Sequence, residues 1–214
     1  PGVGRAIGPI RAIGLIMPNM ESQPVRLEFD RGTLVLRHGN SDLCDGLPGV
    51  LRDERTGVDR AEGRHYRAIV ETLRSRKIPY EDAARAWQET PWTFRNDRVP
   101  YPHQTEAVET WWSQRGRGVV VLPTGTGKTL VALLAIAKTA RPALVVTPTI
   151  DLLYQWHGEL AAGFGQPIGM IGGGNYDLQP VTVSTYDSAY IHIERWGNRY
   201  GLIVFDECHH LPGP

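Results

Sequence analysis

Leu122-Pro123-Thr124-Gly125-Thr126-Gly127-Lys128-Thr129 decides the fold class. Ahead of it, Val119-Val120-Val121-Leu122 is a continuous apolar run, the pattern of a strand buried on both faces. Behind it, Lys128 to Ala140 reads as a helix. Strand, glycine-bearing loop and helix together form the setting in which backbone N–H groups curl around phosphate oxygens. Gly125 and Gly127 permit the curl, with Thr124 and Thr126 between and beside them. The helix N-terminus adds roughly half a positive charge at the same spot. Lys128 can reach β- and γ-phosphates, and the Thr129 hydroxyl can ligate Mg²⁺. The stricter form of this pattern has a glycine where Leu122 stands.

Downstream, buried-strand runs alternate with helical periodicity. Ala143 to Val146 reads as a strand, and Thr149 as the N-cap of a helix carrying Leu152, Leu153, Trp156 and Leu160. Val181–Ser184 and Leu202–Phe205 read as further strands. Such alternation predicts an α/β domain with a parallel sheet and flanking helices. Leu202-Ile203-Val204-Phe205-Asp206-Glu207 sets two acids at the C-terminal end of a buried strand, the edge where ligands bind in open α/β sheets. Asp206 there can hold Mg²⁺ through water, and Glu207 can polarise an attacking water as general base. Cys208, His209 and His210 are consecutive and lack the spacing of a zinc site.

Upstream, residues 25–97 are rich in arginine and acids and read as a small α+β module. Val25, Leu27 and Phe29 alternate with charged residues, and Asp30-Arg31-Gly32 leads into Thr33-Leu34-Val35-Leu36, which predicts a hairpin. Tyr66, Ile69, Val70 and Leu73 mark an amphipathic helix over 62–76, stopped by Pro79. Arg60, Arg64 and Arg67 alternate with Asp59 and Glu62, the composition of a solvated, salt-bridged face. Residues 96–102 read as a connector, and 104–114 as a helix burying Ala107, Val108, Trp111 and Trp112. Trp87, Trp111 and Trp112 are read as core. Residues 1–24 read as a flexible leader.

The chain has 214 residues and zero formal charge, with 41% hydrophobic residues. That composition is globular and excludes both an acidic solvating tail and a uniformly basic nucleic-acid binder. Two cysteines exclude a disulfide framework and fit a reducing, cytoplasmic setting. No stretch approaches the ~20 apolar residues of a membrane span.

PTGTGKT at 123–129, TPT at 147–149, STYDSA at 184–189 and DECHH at 206–210 resemble the first-domain motifs of superfamily 2 DEAD/DEAH-type helicases, most closely the XPB/Rad25-like DNA repair helicases. The resemblance implies a RecA-like P-loop fold over 98–214, incomplete at its C-terminus, behind a damage-recognition module at 25–97. It implies ATP with Mg²⁺ as the nucleotide and DNA as the partner, contacted through its backbone at a single strand or junction. A second RecA-like domain and a repair nuclease follow as further partners. Gln104 matches the residue that reads adenine, and its amide suits the adenine edge. Thr147, Pro148, Thr149, Ser184 and Thr185 match loops that touch the nucleic-acid backbone. His209 matches the residue that couples nucleotide state to the second domain. The family's next elements lie beyond Pro214, so the resemblance implies an N-terminal part of an ATP-dependent helicase or translocase, nearly inactive alone, with an open sheet edge. Two other readings stay open. One is the motor subunit of a restriction or remodelling complex; the other is a non-catalytic DNA- or protein-binding module with vestigial nucleotide motifs.

Overall fold

The structure is a computed structural model that describes residues 24–38, 41–95, 99–123 and 125–210. Two five-stranded sheets organise it. The first contains β1 (Val25–Asp30), β2 (Thr33–Arg37), β3 (Leu51–Asp53), β4 (Val58–Glu62) and β5 (Tyr80–Asp82), in the order β3-β4-β2-β1-β5. The expected hairpin is present: Asp30 pairs with Thr33 across a two-residue turn. Arg31 and Gly32 both take left-handed backbone, with φ of 48° and 80°, the geometry whose twist matches that of the flanking strands. The expected helix forms as α1 (Tyr66–Ser75) behind a 3₁₀ turn at Gly63–His65. It buries Ile69, Val70 and Leu73 against Val25, Leu27, Leu34 and Leu36. The arginines are salt-bridged as expected: Arg60 lies 2.9 Å from Asp30 and 3.4 Å from Asp53, Arg64 pairs with Glu62, and Arg67 pairs with Glu71 one helical turn on.

The second sheet comprises β6 (Ala143–Thr147), β7 (Gly169–Gly172), β8 (Asn175–Asp177), β9 (Val181–Thr185) and β10 (Leu202–Phe205). Its order is β10-β6-β9-β7-β8. β10, β6, β9 and β7 run parallel, while β8 returns antiparallel through the Gly173-Gly174 turn. Four helices accompany it: α2 (Pro102–Ser113), α3 (Lys128–Thr139), α4 (Ile150–Phe164) and α5 (Tyr186–Trp196). Every residue of β6 and β9 is buried. Leu133 and Ile136 of α3 with Leu153, Trp156 and Leu160 of α4 cover one face, against Val145 and Val183. Ala189 and Trp196 of α5 cover Leu144, Val146 and Ile171 on the other. This is the expected α/β architecture.

One expected strand does not form. Val119–Leu122 lies outside any ladder, and Val119 and Val121 are 74% and 86% exposed. An apolar run becomes a buried strand only where a neighbouring strand takes its backbone groups. Among the described residues no strand flanks the outer edge of β10, whose Phe205 is 46% exposed. The expected core tryptophans also divide. Trp112 is exposed, since α2 turns mainly Gln104 and Val108 inward. Trp87 is half-buried between the guanidinium groups of Arg85 and Arg141, at 4.8 and 5.2 Å. Residues 86–95 run as a strap over the second sheet's helices: Trp92 joins their core, Phe94 packs on Phe164, and Arg95 N donates to Gly163 O. The leader lies outside the described residues save Pro24, as do residues 96–98 of the connector.

Because Ile136 is fully buried and Val121 is not, Ile136→Ala is expected to cost about 2–5 kcal/mol in urea unfolding. Val121→Ala is expected to stay within about 0.5 kcal/mol.

Candidate functional site

The loop before α3 has the backbone its glycines predict. Gly125 and Gly127 have φ of 80° and 79°. Thr126 closes the turn, its hydroxyl donating to Pro123 O at 2.6 Å. Thr124 lies outside the described residues. Lys128 and Thr129 open α3 and are half-buried. The start of α3 differs from those of α4 and α5. Thr149 caps α4 by accepting from Leu152 N, and Thr185 caps α5 by accepting from Ser188 N. α3 has no side-chain cap. Its positive dipole end is therefore not met by a capping side chain, which is the fit that a phosphate requires.

Gln104, expected at the adenine edge, faces inward. It is 2% exposed and spends its amide on the protein. Its Oε1 accepts from Tyr101 N at 2.9 Å, while Nε2 donates to Thr126 O at 2.8 Å and Gly127 O at 3.3 Å. A Cβ on residue 127 would collide with that Nε2, a second reason for glycine there. In this arrangement Gln104 braces the Gly125–Gly127 loop, its Nε2 supplying a side-chain donor to the carbonyls of residues 126 and 127. His103, stacked on Tyr101, adds a contact to Thr126 O at 3.2 Å.

Asp206 stands where the sequence reading puts it, one residue past β10, with its N–H bonded to Val146 O at 2.9 Å. Its carboxylate is held from two sides: Trp156 Nε1 donates to Oδ2 at 2.7 Å, and Glu207 N donates to Oδ1 at 3.1 Å. Tyr186 OH donates to the Asp206 carbonyl at 2.7 Å, and its ring stacks on Phe205. Acidic neighbours and burial together push the Tyr186 phenol above its ordinary range, burial contributing most, so it stays a donor. Glu207 takes a left-handed backbone, φ 48°, an unfavourable geometry for a non-glycine residue. Its Oε2 lies 3.4 Å from His209 Nδ1. Trp156 reads as part of the apolar face of its helix and Tyr186 as part of the 184–189 motif, and only their polar tips reach Asp206.

α3 packs against β10, so the helix opened by the phosphate loop touches the strand closed by the two acids. The five residues expected on nucleic acid are less uniform. Thr147, Ser184 and Thr185 are buried, and their hydroxyls serve internal bonds: Thr147 to Thr149 O, Ser184 to Thr185 O, and Thr185 to Ser188 and the α5 cap. Pro148 is half-buried and Thr149 exposed.

A parallel sheet with a glycine-bent loop, an uncapped helix and an acidic strand end defines a P-loop nucleotide-binding domain of the RecA-like helicase class. Residues 98–214 match the family described as type III restriction enzyme, res subunit, and the chain belongs to that family. Residues 27–84 match the xeroderma pigmentosum group B helicase damage recognition domain. The chain is 37% identical over 166 residues to DNA 3'-5' translocase XPB2 of Sulfurisphaera tokodaii, covering 77% of this chain and 37% of that protein. It is 39% identical over 124 residues to DNA 3'-5' helicase XPB of Kineococcus radiotolerans, covering 53% and 22%. A protein of the same name from Mycobacterium tuberculosis is 39% identical over 123 residues, covering 52% and 22%. The chain thus spans well under half the length of these relatives. Among the described residues no helix is long and apolar enough to cross a membrane.

Gln104→Glu retains the acceptor for Tyr101 N and sets a carboxylate against two carbonyls. It is expected to lower stability by about 1–3 kcal/mol in urea unfolding, and more than the truncation Gln114→Ala on the exposed end of α2.

Proposed function

We propose that this chain forms the N-terminal part of an ATP-dependent DNA helicase or translocase, with residues 98–214 as its first ATP-binding motor domain and the preceding module as its damage-sensing part. One observation carries the reading: α3, uncapped behind the Gly125–Gly127 turn, packs on the strand that ends in Asp206-Glu207. Loop amides and the α3 dipole bind the phosphates, and Lys128 neutralises the terminal ones. Thr129 and Asp206 would hold Mg²⁺, which when bound would supply charge neutralisation at the phosphates. Trp156 and the Glu207 amide fix the Asp206 carboxylate so that it need not reorganise. Glu207 orients the attacking water and accepts its proton; His209, in contact with its carboxylate, couples the site to a second domain.

DNA is engaged along the C-terminal edge of the second sheet. Buried Thr147, Ser184 and Thr185 hold the α4 and α5 starts in place, so the contact is made by Pro148 and Thr149. The match of residues 27–84 to a damage recognition domain favours a repair motor over a restriction subunit.

Titration with a fluorescent ATP analogue and Mg²⁺ is expected to show saturable binding that Lys128→Ala weakens at least tenfold. Equal binding by both proteins would refute a working phosphate loop. Trp156→Phe, which removes only the indole donor, is expected to raise the Mg²⁺ concentration needed for half-maximal nucleotide binding several-fold, with Mg²⁺-independent binding unchanged.

A further inference from the structure

The first sheet contains a polar group that nucleotide chemistry leaves unused. Leu34 and Leu36 face the core, and His38 continues their two-residue period just past β2. Asp59 of β4 is registered opposite Leu36 and is itself buried. Cys44, at the end of the 3₁₀ turn Ser41–Cys44, is buried in the same core. One ligand-capable atom from each of His38, Cys44 and Asp59 lies within 4.8 Å of the other two.

The electrostatics of the group are unusual for a core. The His38 side chain is 6% exposed, with Nε2 2.5 Å from Asp59 Oδ2. Its Nδ1 has no hydrogen-bond partner among the described residues. Burial, with Asp59 and Asp45 nearby, pushes the Cys44 thiol up to about 12, so without a counter-charge it stays protonated at neutral pH. Three apolar side chains would fill this space without the desolvation cost of an imidazole and a carboxylate. A buried imidazole, thiol and carboxylate whose ligand atoms lie this close, with one ring nitrogen left without a partner, form a donor set that a metal ion can use.

We propose that His38, Cys44 and Asp59 bind a divalent transition-metal ion of zinc type, with water in the remaining position. Thiolate and imidazole donors select Zn²⁺ or Co²⁺ over Mg²⁺ and Ca²⁺. On a tetrahedral ion, bonds of about 2.0–2.3 Å place donor atoms roughly 3.3–3.7 Å apart. The widest separation in the group must close by about 1 Å and the His38–Asp59 contact must open by a similar amount, adjustments within reach of side-chain rotation. Charge balances, because thiolate and carboxylate together neutralise the dication. The Cys44 S–H bond breaks as the metal–sulfur bond forms, and one proton leaves to solvent. Arg52, 3.3 Å from the other Asp59 oxygen, steadies the carboxylate. The ion ties the 41–44 turn to β2 and β4, clipping the sheet independently of the nucleotide site.

Co²⁺ titration of the 214-residue chain tests this, read by visible d–d bands and the near-ultraviolet thiolate-to-metal charge-transfer band. The expected result is one equivalent bound, displaced by Zn²⁺, with full signal in Cys208→Ser. The charge-transfer band should vanish in Cys44→Ser, and His38→Asn should weaken binding by at least the roughly 10–100-fold that loss of an outer-sphere partner costs. Cys44 and Cys208 are the chain's two cysteines, so even if Cys44→Ser fails to fold, an intact band in Cys208→Ser identifies Cys44 as the sulfur donor. A band lost in Cys208→Ser and kept in Cys44→Ser places the ion beside His209 and overturns the proposal. So does the absence of any charge-transfer band in the wild-type chain.

Discussion

β6 and β9 are buried at every position, which constrains everything that follows in space. A parallel strand without a solvent face must be covered by helices on both sides, and each crossover must leave from the same edge of the sheet. That edge is where Thr147 pairs with Thr185 and where Asp206 follows Phe205, itself registered with Val146. Residues up to 59 positions apart in the chain thus finish in one row, and the N-termini of α4 and α5 begin there. The chemistry is gathered by sheet topology before any side chain makes a contact.

Along that row, polar groups are treated in two ways. The α4 and α5 starts are closed by threonine hydroxyls, each stabilising by about 1 kcal/mol, and Thr147 and Ser184 bond to backbone oxygens. The start of α3 is left open, with the rim of its loop braced from behind by Gln104. A helix end that its own side chains do not satisfy, held rigid by a buried amide, is arranged for an external acceptor of hydrogen bonds. Asp206 shows the complementary design: an acid held by an indole and an amide, so that its remaining lone pairs keep a fixed direction.

The two sheets are joined by specific bonds. Asn198 Nδ2 donates to Ala84 O, Asn198 O accepts from Ala86 N, and Arg67 reaches Arg115 O. The strap at 86–95 then carries Trp92 and Phe94 into the second core. This connection passes close to the Arg85–Trp87–Arg141 stack, where cation–π attraction favours a close approach of two like charges to one ring.

Local signals in the chain were enough for the hairpin at Arg31-Gly32, a helix within 62–76, the glycine-bent loop before α3 and the placement of Asp206 at a strand end, because each rests on a period or a turn chemistry contained in a few consecutive residues. The reading failed where a partner distant in sequence decides. Val119–Leu122 has the composition of a buried strand yet lies outside every ladder of the described residues, and Val119 and Val121 stay in water. Gln104 reads as an adenine-contacting residue, and nothing local foretells that the carbonyls of residues 126 and 127 take its amide donor. Trp156 reads as core, and is core, but its indole nitrogen finds Asp206 fifty residues away. Sequence therefore determined the turns, the glycine-bent loop and the periodic helices, since those follow from local sterics and hydrophobic period, while tertiary pairing decided which apolar runs became strands. Tertiary structure alone decided which polar atoms are consumed internally and which remain for a ligand, because hydrogen-bond satisfaction is settled by whatever packing brings within three ångströms.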